Sequence, residues 1–340
     1  MRPQLVTALG RLSWPGAAAE LRAECDVFQR YHLARMLFLS DELRRVDRLF
    51  SAHGIRLVAF KGAVLAAHLY GDLSQREYGD LDVIVPRHQV EEAERLLGSL
   101  GYSGPQRDAE FRHTFLAFQQ QYAFIRDDIG VSIDLHWHFN GVHSPFPLQP
   151  ADVWNENAEV KLGDRLIATL SGANLALLLA GHGTKEVWKK LGWIRDFAML
   201  VDRHADLDWS AVFGRAKAQR CGDAVLLGCL LAEILLGVPV PVALAENISS
   251  NRPVRERAVA MADALRRTVP PPQVRPYLED LGLCDRRIDR IWSVVLQSLT
   301  RTAGDYAALP LRPPFWWIYY LTRPLRLVFK AIALFQRQEA

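Results

Sequence analysis

"VAFKGAVLAAHLYGDLSQREYGDLDVIV", residues 58–85, is the stretch whose reading decides the fold. Its last ten residues, Arg76 to Val85, set Asp80 and Asp82 on either side of Leu81 and then run into Val83, Ile84 and Val85. An apolar run stopped by Pro86 reads as a strand. Side chains alternate along a strand, so Asp80 and Asp82 share one face. Two crowded like charges cost free energy unless a cation or a proton neutralises them. The pair is either a solvated strand end or part of a metal site, and D-x-D alone does not decide between them.

The flanks bear on that choice. Upstream, Ile55 to Phe60 reads as a short strand, Lys61-Gly62 as a turn, and the Ala/Leu-rich run to Gly71 as a helix. A glycine at a strand-to-helix turn lets backbone N–H groups approach a phosphate, and the helix N-terminus favours the anion. Lys61 suits a phosphate as a point charge and Arg76 suits it bidentately; ordinary solvated surface is the plain alternative for both. Downstream, "QYAFIRDDIGVSIDLHWHF" predicts a hairpin of strands 121–126 and 131–137. Val131, Ile133, Leu135 and Trp137 share one face of the return strand, and Ser132, Asp134 and His136 share the other. If this strand neighbours the first, Asp80, Asp82 and Asp134 converge. Hard divalent cations take such oxygen ligands. Two of them about 3.5–4 Å apart hold the attacking and leaving oxygens of a phosphoryl or nucleotidyl transfer.

Beyond these motifs, helical periodicity covers 18–53, Arg87 to Gly101, and 171–187, 190–204, 208–219, 223–237, 253–268 and 284–303. The expected fold class is α+β, with a small mixed β-sheet domain and flanking helices followed by a helical domain. The boundaries are an N-terminal helical segment at 1–50, the α/β domain at 51–150, the helical domain at 151–305, and an aromatic and basic tail at 306–340. Residues 224–245 form a long weakly charged run, but Glu233, Pro239 and Pro241 interrupt it, so it reads as a buried helix and not a membrane span.

Half of the 340 residues are apolar and under a quarter are charged, a globular composition. A formal net charge of +3 is too weak to argue for a nucleic-acid partner. The four cysteines, Cys25, Cys221, Cys229 and Cys284, form no C-x-x-C pair, which fits a reducing cytoplasm. The first residues have no long apolar core, so no signal peptide is expected.

The stretch 58–85 resembles the nucleotidyltransferase superfamily typified by DNA polymerase beta: a glycine before a helix, acid–apolar–acid on the next strand, and a third acid on a later strand. It is closer to a bacterial branch of uncharacterised nucleotidyltransferases, through "FKG", "LYGD", Arg76, "GDLDVIV", "LGSLGY", "IDLHW" and "LALLLAGHG…GWIRDFAMLVDRHADLDW", over roughly residues 50–210. The resemblance implies a magnesium or manganese cofactor. It implies transfer of a nucleoside monophosphate from an NTP, ATP being the expected donor, to an unknown acceptor hydroxyl or phosphate with release of pyrophosphate. Asp80, Asp82 and Asp134 would hold the metals, with Asp134 also the general base. Gly62, Lys61 and Arg76 would meet the triphosphate. The superfamily usually has Gly or Ser after the glycine, whereas this chain has Ala63; Lys61 is the expected substitute for that hydroxyl. A catalytically inactive nucleotide-binding scaffold is the rival reading. A D-x-D sugar-nucleotide glycosyltransferase ranks last, because it needs a parallel sheet ahead of the acids.

Other residues carry weaker signals. His136, on the face of Asp134, suits substrate, metal or plain packing, and His138 lies further along that face. His182 and Lys185 share a helical face, either closing over the nucleotide or simply facing the other domain. Asp196, within an apolar helix, is expected in an inter-helix salt bridge. In the tail, Phe315 to Tyr320 is almost wholly aromatic, Pro324 suits a first helical turn, and Arg326, Lys330 and Arg337 form one stripe. That pattern predicts peripheral membrane contact through 315–337, with docking on the body as the alternative.

Overall fold

The computed structural model describes residues 2–12, 14, 19–104, 119–141, 144–267 and 279–336. Two helices open the chain, α1 (Arg2–Arg11) and α2 (Ala19–Ala52). Met36, Leu39, Leu43, Val46 and Phe50 recur every three or four residues of α2 and are buried, so one stripe of it faces the core. The predicted strand 55–60 shrinks to β1 (Val58–Ala59), a short edge. Then come α3 (Gly62–Leu65), continued by a π turn at Ala66–Tyr70, and β2 (Asp80–Ile84). Gly71, at φ 70°, ends that helical run in the left-handed conformation that glycine adopts without strain.

The helix α4 (Val90–Ser99) carries the chain away from β2, and β3 (Gln121–Arg126) and β4 (Val131–His136) return as the predicted hairpin. The sheet order is β1-β2-β4-β3. β2 and β4 run parallel, with Asp82 opposite Asp134 and Asp80 opposite Ser132. The outer pairs are antiparallel. The sheet is therefore mixed, as expected. Among the described residues only the two-residue β1 precedes the acids as a strand, which removes the parallel sheet a glycosyltransferase reading requires.

The two faces of this sheet meet different partners. Leu81, Val83, Val85, Ile133 and Leu135 pack with the stripe of α2 and with α4. Ile84, Val58 and Phe60 pack with leucines of the helical half. By strand alternation Asp80, Asp82, Asp134 and His136 lie on the second face, so the acids stand where the helices cover the sheet.

A second hairpin separates the halves, and helical periodicity did not announce it. After α5 (Pro150–Asn155), β5 (Asn157–Leu162) and β6 (Arg165–Leu170) pair antiparallel around Gly163, at φ 59°. Val160, Leu162 and Ile167 join the core of the sheet, while Leu170 joins that of the helices. The helical half follows as α6 (Gly172–Lys185), α7 (Leu191–Arg203), α8 (Trp209–Ala218), α9 (Gly222–Leu236), α10 (Ala245–Ser250) and α11 (Arg252–Arg266). All residues from Ala224 to Ala232 in α9 are buried, which bears out the reading of this run as a core helix. Between α6 and α7 the backbone of Val187 and Trp188 has positive φ, 55° and 49°, an uncommon conformation for bulky residues. Trp188 is fully buried and donates its indole N–H to Thr184 Oγ1, which ties the connection down.

The last described elements are α12 (Arg287–Leu299), α13 (Ala303–Ala308) and α14 (Tyr319–Gln336). Two expectations for the tail need correcting. Pro324 lies inside α14, not in its first turn. Arg326 and its neighbour Arg323 both pair with Asp305, so Arg326 is held by an ion pair and does not lead a free basic stripe. Arg337 lies outside the described residues. No described helix is long and apolar enough to cross a membrane.

Candidate active site

Neighbouring strands lie only about 4.8 Å apart, so the register of β2 and β4 forces the Asp82 and Asp134 carboxylates together. His136 follows Asp134 on the same face. Ligand atoms of Asp82, Asp134 and His136 all lie within 4.8 Å of one another, a spacing that fits one metal ion. His136 Nε2 stands 3.6 Å from Asp82 Oδ1, buried and without a hydrogen-bond partner among the described residues. The ring packs edge-on against Phe60, at 5.0 Å between centroids. Gln121 on β3 donates through Nε2 to Asp134 Oδ2 at 2.9 Å and so fixes that carboxylate.

The sequence placed Asp80 beside Asp82 as an equal ligand. In the structure Asp80 is exposed at the outer end of β2 and outside this close cluster, where His136 takes the third position. Asp80 still shares the local field. Burial and the charge of Asp82 raise its pKa, and Lys61 works against them. Burial also raises the Asp134 pKa, followed by the repulsion of Asp82. Asp82 goes the other way. Burial pushes it up, but the Lys61 ammonium and His136 outweigh burial and hold it well below the usual carboxylate range.

Lys61 and Gly62 form the turn into α3. Gly62 has φ 57°, which favours glycine, and a Cβ there would stand 3.3 Å from the Asp80 carbonyl oxygen, a tight contact that adds to that preference. Lys61 Nζ lies 3.2 Å from Asp82 Oδ1, both groups being largely buried. The lysine read from sequence as a phosphate contact is thus the counter-charge of the central acid.

Arg76 is also paired, elsewhere. Its Nε donates to Asp196 Oδ2 at 3.1 Å and Oδ1 at 3.3 Å, and the Tyr70 hydroxyl donates to Asp196 Oδ1 at 2.6 Å. Asp196 is in a salt bridge, as predicted, but its partner sits in the segment before β2 and not on a helix. Burial and the Asp196 charge together push the Tyr70 hydroxyl far above its usual pKa. His182 on α6 packs edge-on against Trp193 at 5.1 Å. Burial, then the Lys61 charge, hold it well below its usual pKa, so it is neutral; Asp82 opposes this shift, which places His182 within the field of the acids. Lys185 donates to Asn140 Oδ1 at 3.1 Å. His138 accepts from the backbone N–H groups of Phe139 and Asn140, a structural role.

Sequence reasoning missed Gln121, Lys190, Trp193 and Arg195. "WKKLGWIRD" does signal a basic and aromatic helix start, but only folding sets it beside Arg76.

A small mixed sheet with acids facing across its central parallel strands, beside a glycine turn, is the architecture of the nucleotidyltransferase class. Residues 1–237 match the family model described as "Uncharacterised nucleotidyltransferase", and the chain belongs to that family. No curated protein matches the sequence. A solution structure of the antibiotic-resistance factor ANT(2'')-Ia is similar over 54% of this chain and 91% of its own, at 12% identity and a TM-score of 0.39, a likeness too loose to bear on activity.

Proposed function

We propose that the protein is a divalent-metal-dependent enzyme that moves a nucleoside monophosphate from an NTP, ATP foremost, to an acceptor hydroxyl or phosphate and releases pyrophosphate. The observation that carries this reading is the register of Asp82 opposite Asp134, with His136 beside them and the Gly62 turn at the mouth. These residues fit a divalent cation. Two carboxylates suit magnesium, the imidazole adds affinity for manganese, and the buried His136 Nε2, 3.6 Å from Asp82 Oδ1, has no hydrogen-bond partner among the described residues. Asp82 and Asp134 would hold the ion, with Asp80 at the outer edge. When bound, it would offset phosphate charge and lower the cost of the oxygen displacement.

The chain's own groups have distinct roles in this reading. The backbone at Gly62 opens α3 toward an anion, and Lys61 brings a positive charge to the same turn. Arg76 stands one layer further out. His182 and Lys185 close the nucleotide side from α6. Asp134 accepts the acceptor's proton; its raised pKa makes it a better base than an ordinary aspartate.

Asp82→Asn is expected to lower transfer of labelled nucleotide by roughly a thousandfold while the protein stays folded. Normal transfer by this variant would show that the site is misassigned. Nucleotide binding with no pyrophosphate release under any acceptor would favour the inactive scaffold.

The reading extends to location. All four cysteines are free thiols, as in a reducing cytoplasm. Ile291, Trp292, Phe315, Trp317, Leu321 and Leu325 expose a broad apolar surface around α12 and α14, suited to the inner face of a membrane. The full chain is expected to cosediment with anionic vesicles, and Trp317→Ser with Leu321→Ser to reduce that several-fold. Equal sedimentation of both proteins would refute the contact.

A further inference from the structure

Beside the acid cluster, the segment from Tyr70 to Glu77, the start of α7 and Gln4 of α1 enclose a cleft of about 490 Å³. Its chemistry is the reverse of the acid site. Arg76, Arg195 and Lys190 line it together with Trp193. Its two acids are already engaged: Asp196 with Arg76, and Glu77 with Arg2 at 2.6 Å. Arg195 makes no ion pair among the described residues and lies over the Tyr70 ring, 4.9 Å from its centroid. Lys190 Nζ lies 5.0 Å from the Trp193 centroid.

Two atoms point to a ligand. Arg76 Nη1 and Arg195 Nη1 are both buried, and neither has a hydrogen-bond partner among the described residues. Buried donors left unpaired are costly and uncommon, and here both belong to arginines of the cleft wall, where a small rotation of either guanidinium would turn its edge to an anion. The helix α7 adds to this, because it begins at the cleft with no side-chain cap on its first N–H groups. Guanidinium edges, an ammonium and open helical N–H groups together recognise a phosphate.

Arg76 lies within the field of Asp82, and His182, which senses the same acid, packs against Trp193. We propose that this cleft binds a phosphate group carried by the acceptor, so that the protein modifies a phosphorylated molecule. The proposal rests on the nucleotidyl-transfer reading. In that reading the donor's triphosphate lies at the Gly62 turn, whereas neither Lys61 nor Gly62 lines the cleft, which is formed by Tyr70, Arg76, Glu77, Gln4 and the start of α7. Trp193 offers an apolar flank for the body of the acceptor.

The test is a 31P NMR titration of the full chain with inorganic phosphate, with and without saturating ATP and magnesium. Wild-type protein is expected to broaden the phosphate line in both conditions. Arg195→Gln should weaken phosphate about tenfold, the loss of one charge-assisted hydrogen bond, with Lys190→Gln weakening it less and Arg195→Lys restoring part of the affinity. Thermal melts confirm that each variant is folded. Equal broadening by wild type and Arg195→Gln would overturn the proposal. So would displacement of phosphate by ATP and magnesium, which would return the cleft to the donor. If ATP with magnesium fails to bind while Arg195 still governs phosphate, the nucleotidyl reading falls and the anion cleft stands.

Discussion

The acid end of the site and the guanidinium end each pair one cation with one carboxylate, yet they are built for different tasks. At the acid end, Lys61 meets Asp82 through a single contact of 3.2 Å, with Asp134 and His136 crowded alongside. A lysine is a point charge on a flexible stem, so another cation can share or take its place. At the guanidinium end, Arg76 meets Asp196 through both carboxylate oxygens, and Tyr70 holds the same carboxylate from a third direction. That pair is a fixed wall. Two ion pairs of equal formal charge therefore divide the labour: one is exchangeable and faces the proposed chemistry, and the other is permanent and shapes the proposed acceptor cleft.

Three substitutions sharpen the contrast. The largest effect is expected from Asp196→Ala, which strands the Arg76 charge in the interior. A loss of about 3–5 kcal/mol in urea unfolding should follow, unaltered by magnesium. Lys61→Met is expected to cost about 2 kcal/mol in a chelating buffer, because Asp82 loses its counter-charge. Part of that loss should return on adding magnesium or manganese, since a second cation can serve Asp82. If magnesium rescues Asp196→Ala as well, or fails to rescue Lys61→Met, the division between exchangeable and permanent pairs is wrong.

The smallest effect concerns His182, between the two ends. Its folded pKa lies below the ordinary value of about 6.5. As pH falls through that value the unfolded chain takes up a proton that the folded one refuses, so stability declines. Between pH 7 and pH 5 the wild type should lose roughly 1 kcal/mol more than His182→Gln. Parallel pH curves for the two proteins would show that burial and the Lys61 charge do not depress His182.

The acid strand, the hairpin at 121–136 and most helices of the second half were legible in the sequence, because each is a local pattern of apolar spacing closed by Gly or Pro. The pairing of β2 with β4 was only conditional there. Alternation sets Asp134 on one face of its strand, but which strand lies alongside is a long-range fact. The partner of Asp196 was illegible for the same reason: nothing in "WIRDFAML" names Arg76. His136 was visible as a residue on the acid face, but its position ahead of Asp80 in the cluster depends on the register of two strands. The hairpin at 157–170 has strands as long as those at 121–136, and "NAEVKL" alternates polar and apolar residues, but helical periodicity does not register that period of two.

The parallel pairing of β2 and β4 also bears on how the protein comes into being. Such strands cannot meet through a tight turn, and their pairing waits on the long connection that carries α4. During synthesis Asp82 leaves the ribosome well before Asp134, and His182 and the cleft later still. A nascent chain therefore carries an acid-tipped strand that only the two-residue β1 can pair, and closing the loop to β4 is a slow, non-local event. The Asp82, Asp134 and His136 cluster therefore forms only once that late pairing is made.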